Sequence, residues 1–142
     1  MRKFSVIMTV LLSVCLMMTG CMEPFQHYDD DVKIAESNYY WGSCTFKPEE
    51  KDSSTIVQLS FFNGVYKIAS IDLPENPTLT LTFTKTMGDC KLVLVGAGGD
   101  VTMVTDTNTA EFAEIPVTLS AGKYDLKLVG RSTTANLVYK FH

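Results

Sequence analysis

The stretch TLTLTFTKT, Thr78 to Thr86, alternates polar and apolar residues with a period of two. No other feature constrains the fold as strongly, because successive side chains point to opposite faces only in an extended strand. Leu79, Leu81 and Phe83 are therefore expected to face a core, with Thr78, Thr80, Thr82 and Thr84 facing outward as a solvated row. The same period runs from Tyr39 to the C-terminus. Val57, Leu59 and Phe61 share one face, with Gln58 and Ser60 opposite. Asn63-Gly64 follows, and both residues tolerate the positive φ that a type I′ hairpin turn requires. Return along Val65 to Ile71 would set Phe61 against Tyr66 and Leu59 against Ile68 on the core face. Pro74 and Pro77 interrupt the next ladder and mark a crossing between sheets. CKLVLVG is apolar on both faces apart from Lys91, as a central strand is. Val101 to Val104, Ile115 to Leu119, Tyr124 to Gly130 and Ala135 to Phe141 bring the set to about nine short strands, the count of a sandwich. No segment carries a convincing helical stripe. The expected fold is all-β, an antiparallel β-sandwich of jelly-roll or immunoglobulin-like type, over residues 38–142.

The start of the chain has a different character. Arg2 and Lys3 precede an almost unbroken apolar run from Phe4 to Met18, then Thr19-Gly20-Cys21. The run has the length of a signal-peptide core and falls short of the roughly 20 residues that a spanning helix needs. The order Met18-Thr19-Gly20-Cys21 resembles the bacterial lipoprotein signal, the lipobox, with Met18 where that family prefers leucine. The resemblance covers the first 21 residues. It implies that residues 1–20 are a leader cleaved before Cys21, and that Cys21 carries a thioether-linked diacylglycerol. Two or three hydrocarbon chains make such anchoring stable, whereas one is marginal. The implied address is extracytoplasmic, on the cell membrane or the outer membrane. Met22, rather than an aspartate, follows the cysteine, and this resembles the outer-membrane default in a two-membrane envelope. An ordinary signal peptide and a retained anchor helix are the alternatives. Residues 21–37, with Pro24 and the acidic run Asp29-Asp30-Asp31, read as a lipidated tether. Calcium binding by that triplet lacks the spaced carboxylates and turn glycine it would need.

Loss of the leader removes Arg2 and Lys3 and no acid, so the formal charge falls from −4 to −6 on the remaining 122 residues. That is one domain of ordinary size, able to bury a core unaided. An acidic surface disfavours nucleic acid and anionic headgroups as partners. Membrane contact is accordingly expected through the lipid alone. Cys15 leaves with the leader, and Cys44 and Cys90 remain as an even pair in an exported chain. A Cys44–Cys90 disulfide is one arrangement, worth about 2–4 kcal/mol. Two buried thiols are the other. Neither metal nor cofactor is expected, since no nearby histidine completes a zinc ligand set.

Catalytic apparatus is not expected. His27 falls in the tether and His142 is the last residue, so neither reads as a positioned general base. Asp72, Asp89, Asp100, Asp106, Glu111 and Glu114 are candidate acids by type; all but Asp72 lie in or beside predicted turns, and no spacing pairs two of them for work. VGAGGDV leads into a strand at Val101, whereas a phosphate-cradling loop opens a helix. The aromatic group Tyr39-Tyr40-Trp41, with Phe46, is the best binding candidate, because flat faces stack on sugar rings. Core packing is the competing role and the preferred one for the group as a whole. Alternation puts Tyr39 and Trp41 on one face and Tyr40 on the other, so at least one of them should be exposed.

VTLSAGKYDLKLVG, Val117 to Gly130, resembles the penultimate hairpin of many extracellular β-sandwich and jelly-roll modules, carbohydrate-binding ones included. It shares Gly-x-Tyr-x-aliphatic with NGVYKI at Gly64, Tyr66 and Ile68. From Tyr39 onward the chain looks like the small all-β lipoproteins of bacteria. The expected function is non-catalytic binding of a glycan, an envelope component or a protein near the membrane. A structural subunit of an envelope assembly is the alternative. Cys21→Ala is expected to leave an uncleaved, unlipidated chain by intact-mass measurement, where the native product starts at Cys21 and carries acyl mass. A native product with an unmodified thiol at that position would contradict the lipobox.

Overall fold

The computed structural model describes residues 25–48, 53–106 and 112–142. The leader and Cys21 lie outside the described residues. Among the described residues one short helix, α1 (Asp31–Glu36), precedes six strands: β1 (Tyr40–Pro48), β2 (Thr55–Leu73), β3 (Thr78–Val95), β4 (Val101–Asp106), β5 (Phe112–Pro116) and β6 (Gly122–Phe141). All pairings are antiparallel, in the order β1-β2-β6-β3-β4, with β5 on the other edge of the first half of β3. The class read from the sequence holds. The strand count does not, for a specific reason.

β2, β3 and β6 are 19, 18 and 20 residues long, and each continues through a place where a turn or an interruption is expected. β3 and β6 each slip phase once at the middle, and β2 does so there and again between Ile68 and Ile71. Core positions in β2 run Val57, Leu59, then Phe62; in β3 Leu79, Leu81, Phe83, then Cys90, Leu92, Leu94; in β6 Leu126, Leu128, then Ala135, Leu137, Tyr139. Every jump spans an odd number of residues, so the inward parity inverts, as a β-bulge makes it do. The middle slips line up across the sheet, where Phe62 opposes Thr133, Gly64 opposes Gly130 and Cys90 opposes the same Gly130. The whole sheet folds over along that line. Five strand segments lie on one side (β1, the first halves of β2 and β3, the second half of β6, and β5), and four lie on the other. Their inner faces close on a single core that includes Val57, Phe62, Leu81, Leu94, Leu128 and Leu137. The result is a β-sandwich made from one sheet, and the nine short segments of the sequence are six strands, three of them bent.

Asn63-Gly64 therefore is not a hairpin turn. The segment Phe61 to Val65 continues along β2, and Gly64 takes φ 126° because the backbone of Tyr39 and Tyr40 passes against it. A Cβ there would strike the Tyr39 carbonyl oxygen. Asn63 is buried and works as a clasp. Its Oδ1 accepts from the Phe25 N–H at 3.2 Å and the Ser132 N–H at 2.8 Å, and its Nδ2 donates to the Phe61 carbonyl at 3.3 Å. Phe61, expected in the core opposite Tyr66, has φ 48° and is 53% exposed instead. Gly130 is the other close approach at the fold line, since a Cβ on it would enter the ring of Phe62. The Pro74–Pro77 crossing does occur, carrying the chain from the second half of β2 to the first half of β3.

The segment expected as a solvated tether differs from Phe25 onward. Tyr28 and Ile34 are buried against Val65, Val93, Val95 and Val129 on the outer face of the second half-sheet. This is why CKLVLVG is apolar on both sides: one face meets the core and the other meets this segment. The acidic triplet builds the helix start, with the Asp30 carboxylate accepting from the Lys33 N–H at 3.1 Å and Asp31 in the first turn. At the far end Lys127 Nζ, on a residue 5% exposed, donates to the carbonyls of Ile34, Ala35 and Ser37 at 3.0, 2.8 and 2.9 Å. One ammonium thus satisfies carbonyls that a helix C-terminus leaves open. Burial lowers its pKa from the ordinary lysine value.

Asn63→Ala removes the acceptor for the Phe25 and Ser132 amides at a site shut off from water. Urea unfolding should show a loss of roughly 2–3 kcal/mol, against about 0.5 kcal/mol or less for the exposed Gln58→Ala. Equal, small losses would mean that Asn63 does not hold the fold line.

Candidate functional site

The aromatic group splits at the start of β1. Tyr40 turns inward, with its ring stacked on Phe62 at 5.1 Å and edge-on to Tyr66 at 5.0 Å between centroids. Phe46 points to the same side, 5.7 Å from Tyr66, but stays 43% exposed. Tyr39 and Trp41 point the other way and are 69% and 38% exposed. Their rings lie 6.2 Å apart with planes inclined by 60°. Core packing, preferred for the group on sequence grounds, describes Tyr40 alone of the consecutive three.

The backbone under the exposed pair is held at both residues. The Tyr39 carbonyl accepts from the Val65 N–H at 2.9 Å, and Trp41 sits opposite Asn63 in the ladder. Asn38, one residue earlier, accepts from the Lys67 N–H at 2.8 Å. Register shifts just after Trp41, where Gly42 takes φ 95° against the Phe61 carbonyl. Ser43 and Ser60 then pair as exposed residues, followed by exposed Thr45 and Gln58. Exposed polar side chains thus continue along the strand from the aromatic pair to a cleft of about 320 Å³ lined by Thr45, Phe46, Lys47, Ile56 and Gln58. Sequence pattern located Tyr39 and Trp41. It did not show that Asn63-Gly64 shapes the ground beneath them, because that dipeptide carries a stronger local signal for a turn.

A second cleft, of about 370 Å³, is lined by Tyr28, Asp29, Asp89, Lys91, Met103, Asp106 and Arg131. Its two cations each face an acid, and Asp106 adds a third carboxylate. Arg131 donates to Asp89 at 3.0 Å, and Lys91 Nζ lies 3.6 Å from Asp29. Both cations also approach the Tyr28 ring, at 4.6 and 4.7 Å from its centroid. Burial, then the neighbouring Cys90 and Asp89, raises the Tyr28 phenol well above its ordinary value. Cys44 and Cys90 are free thiols, so the disulfide considered from sequence is not formed. Burial pushes Cys44 up to about 11 and Cys90 to about 12, which holds both as the unreactive thiol at neutral pH. His27 is exposed, 3.9 Å from Asp30, and His142 contacts the Thr80 hydroxyl at 2.9 Å. Among the described residues, no cluster of three or more His, Cys, Asp and Glu is placed to hold a metal.

No protein-family model matches the chain, and no curated protein matches it. Several solved structures are similar in shape, among them family 29 carbohydrate-binding modules. One mutant module is 13% identical with a TM-score of 0.43, over 75% of this chain and 79% of that one. A mutant complexed with mannohexaose is 12% identical, TM-score 0.42, over 75% and 79%. Another, complexed with cellulohexaose, is 11% identical, TM-score 0.43, over 75% and 78%. At these scores the functional reading rests on this chain's own side chains.

The split of the aromatic group predicts a split in stability. Tyr39→Ala and Trp41→Ala should change the unfolding free energy by less than about 1 kcal/mol, since exposed side chains contribute little. Phe62→Ala should lose about 3–5 kcal/mol and the half-buried Tyr40→Ala roughly 2–3 kcal/mol. A loss at Trp41 as large as that at Phe62 would place the indole in the core.

Proposed function

We propose that the chain is a non-catalytic binding module, held outside the cytoplasm by lipid on Cys21, that recognises a glycan through Tyr39 and Trp41. The observation that carries this reading is the exposed aromatic pair on a fixed backbone. An indole and a phenol are large apolar faces, and the inner side of the same strand had room for Tyr40. Leaving two rings outward forgoes burial, which is the usual use of such residues. An aromatic face carries negative charge density, so the C–H face of a sugar lies flat on it, while flanking hydroxyls and amides bond its rim. Ser43, Ser60, Thr45 and Gln58 are such groups. The thiols and Tyr28 are shifted toward their protonated forms, the wrong direction for a nucleophile or base. Lipid anchoring would hold the module where envelope glycans are found.

The test is calorimetry of the lipidated protein in detergent against a panel of envelope and plant oligosaccharides. Binding of at least one glycan is expected, with about tenfold or greater loss in Trp41→Ala, the order found for removing a stacked aromatic. No binding to any member would contradict the reading.

A second reading is favoured by one observation. Among the described residues β1 pairs on one side only, with β2, so its other edge is open to a strand from an envelope partner. In that case native mass and cross-linking would show a stable hetero-complex through β1, and glycan binding would be absent.

A further inference from the structure

The inclination of the two rings restricts which glycans fit. We propose that the Tyr39–Trp41 site selects a glycan whose backbone turns between consecutive sugars, such as a β-1,3- or α-1,4-linked chain, over a flat ribbon of the β-1,4 type. This rests on the glycan reading above and names the ligand class of that same site.

A stacked sugar must lie parallel to the ring that holds it, because the contact is between its C–H face and the π-face. The centroids are 6.2 Å apart, a separation of the order of one sugar unit, so adjacent rings receive consecutive sugars. In a two-fold ribbon, consecutive sugars are rotated by half a turn and their mean planes stay nearly parallel. Rings inclined by 60° can then engage only one of the two. In a chain that turns, consecutive planes are themselves inclined, and both rings can be covered. The backbone beneath both rings is held. Trp41 follows the ladder opposite Asn63, which fixes its backbone beneath a 38% exposed indole. Tyr39 is fixed at its carbonyl by the Val65 amide, and its ring rests against the indole. Swinging Tyr39 coplanar with Trp41 would break that ring contact. Gly64 is required too, since any side chain there would displace the Tyr39 carbonyl and with it the angle between the rings.

The chain contains one tryptophan, Trp41, so emission under tryptophan-selective excitation reports this site alone. Titration of the lipidated protein in detergent with laminarihexaose, maltohexaose, cellohexaose and mannohexaose separates the cases. At least one turning hexasaccharide should shift Trp41 emission and bind about tenfold or more tightly than either ribbon. Tyr39→Ala should lower affinity for the turning chain toward that for the ribbons. Ribbons that bind as well as or better than turning chains, or discrimination that survives Tyr39→Ala, would overturn the selectivity and leave glycan binding standing. No change in Trp41 emission with any of the four, together with no heat in the wider panel, would overturn the glycan reading and this inference with it.

Discussion

The closeness of two backbones at the fold line governs this molecule. Gly64 has no side chain because the Tyr39 carbonyl and the Tyr40 Cα occupy that space, and Gly130 has none because the Phe62 ring does. These contacts let one continuous sheet bend sharply enough to face itself. A sandwich built from two separate sheets must order long crossovers between them, whereas here three strands run through the bend and carry their ladders with them. The bend also brings the two halves of each strand's apolar face onto one core, at the cost of a one-residue slip in each. Asn63 closes the line by bonding the Phe25 and Ser132 amides and the Phe61 carbonyl, groups that would otherwise be left without partners where three segments converge.

The segment entering the domain uses the same line. Phe25 reaches Asn63, Tyr28 lies between Lys91 and Arg131, and Ile34 covers the valines of β2, β3 and β6. Lys127 then receives the last carbonyls of α1, so the chain arrives at Asn38 and Tyr39 from a fixed direction. The exposed aromatic pair is therefore the end of a rigid path. A buried lysine is an expensive choice for a sheet face, and only a fork of three carbonyls at 2.8–3.0 Å makes it tolerable. Any load on a lipid at Cys21 would pass through this segment before reaching the sandwich.

Much of this was legible in residue order, and the failures share one origin. The alternation in Thr78 to Thr84 gave the class, the inward set Leu79, Leu81 and Phe83, and the outward threonines. Parity at Tyr39 to Trp41 gave the division of the aromatics. Period alone cannot tell a chain that turns back from a chain that slips by one residue and continues, since both break the alternation. Asn63-Gly64 looked like the former and is the latter. Phe61 was misplaced for the same reason: at φ 48° it leaves the face its neighbours share. The six residues of α1 are too few for a helical stripe, and the acids that cap it read locally as a solvated run. Nothing near Lys127 in sequence signals that its partners lie about ninety positions earlier. The 60° between the Tyr39 and Trp41 rings is a relation between side chains that no residue pattern encodes locally.

The sheet that folds over at Asn63-Gly64 and a hairpin that turns there make opposite demands on neighbouring backbones. Nuclear Overhauser contacts in the isotope-labelled protein separate them directly. The folded sheet predicts cross-strand contacts between the backbones of Gly64 and Gly130 and of Phe62 and Thr133, and between the Val65 amide and Tyr39. Backbone contacts of Phe61 with Tyr66 and of Leu59 with Ile68, with those to β6 missing, would contradict the fold line and everything positioned by it.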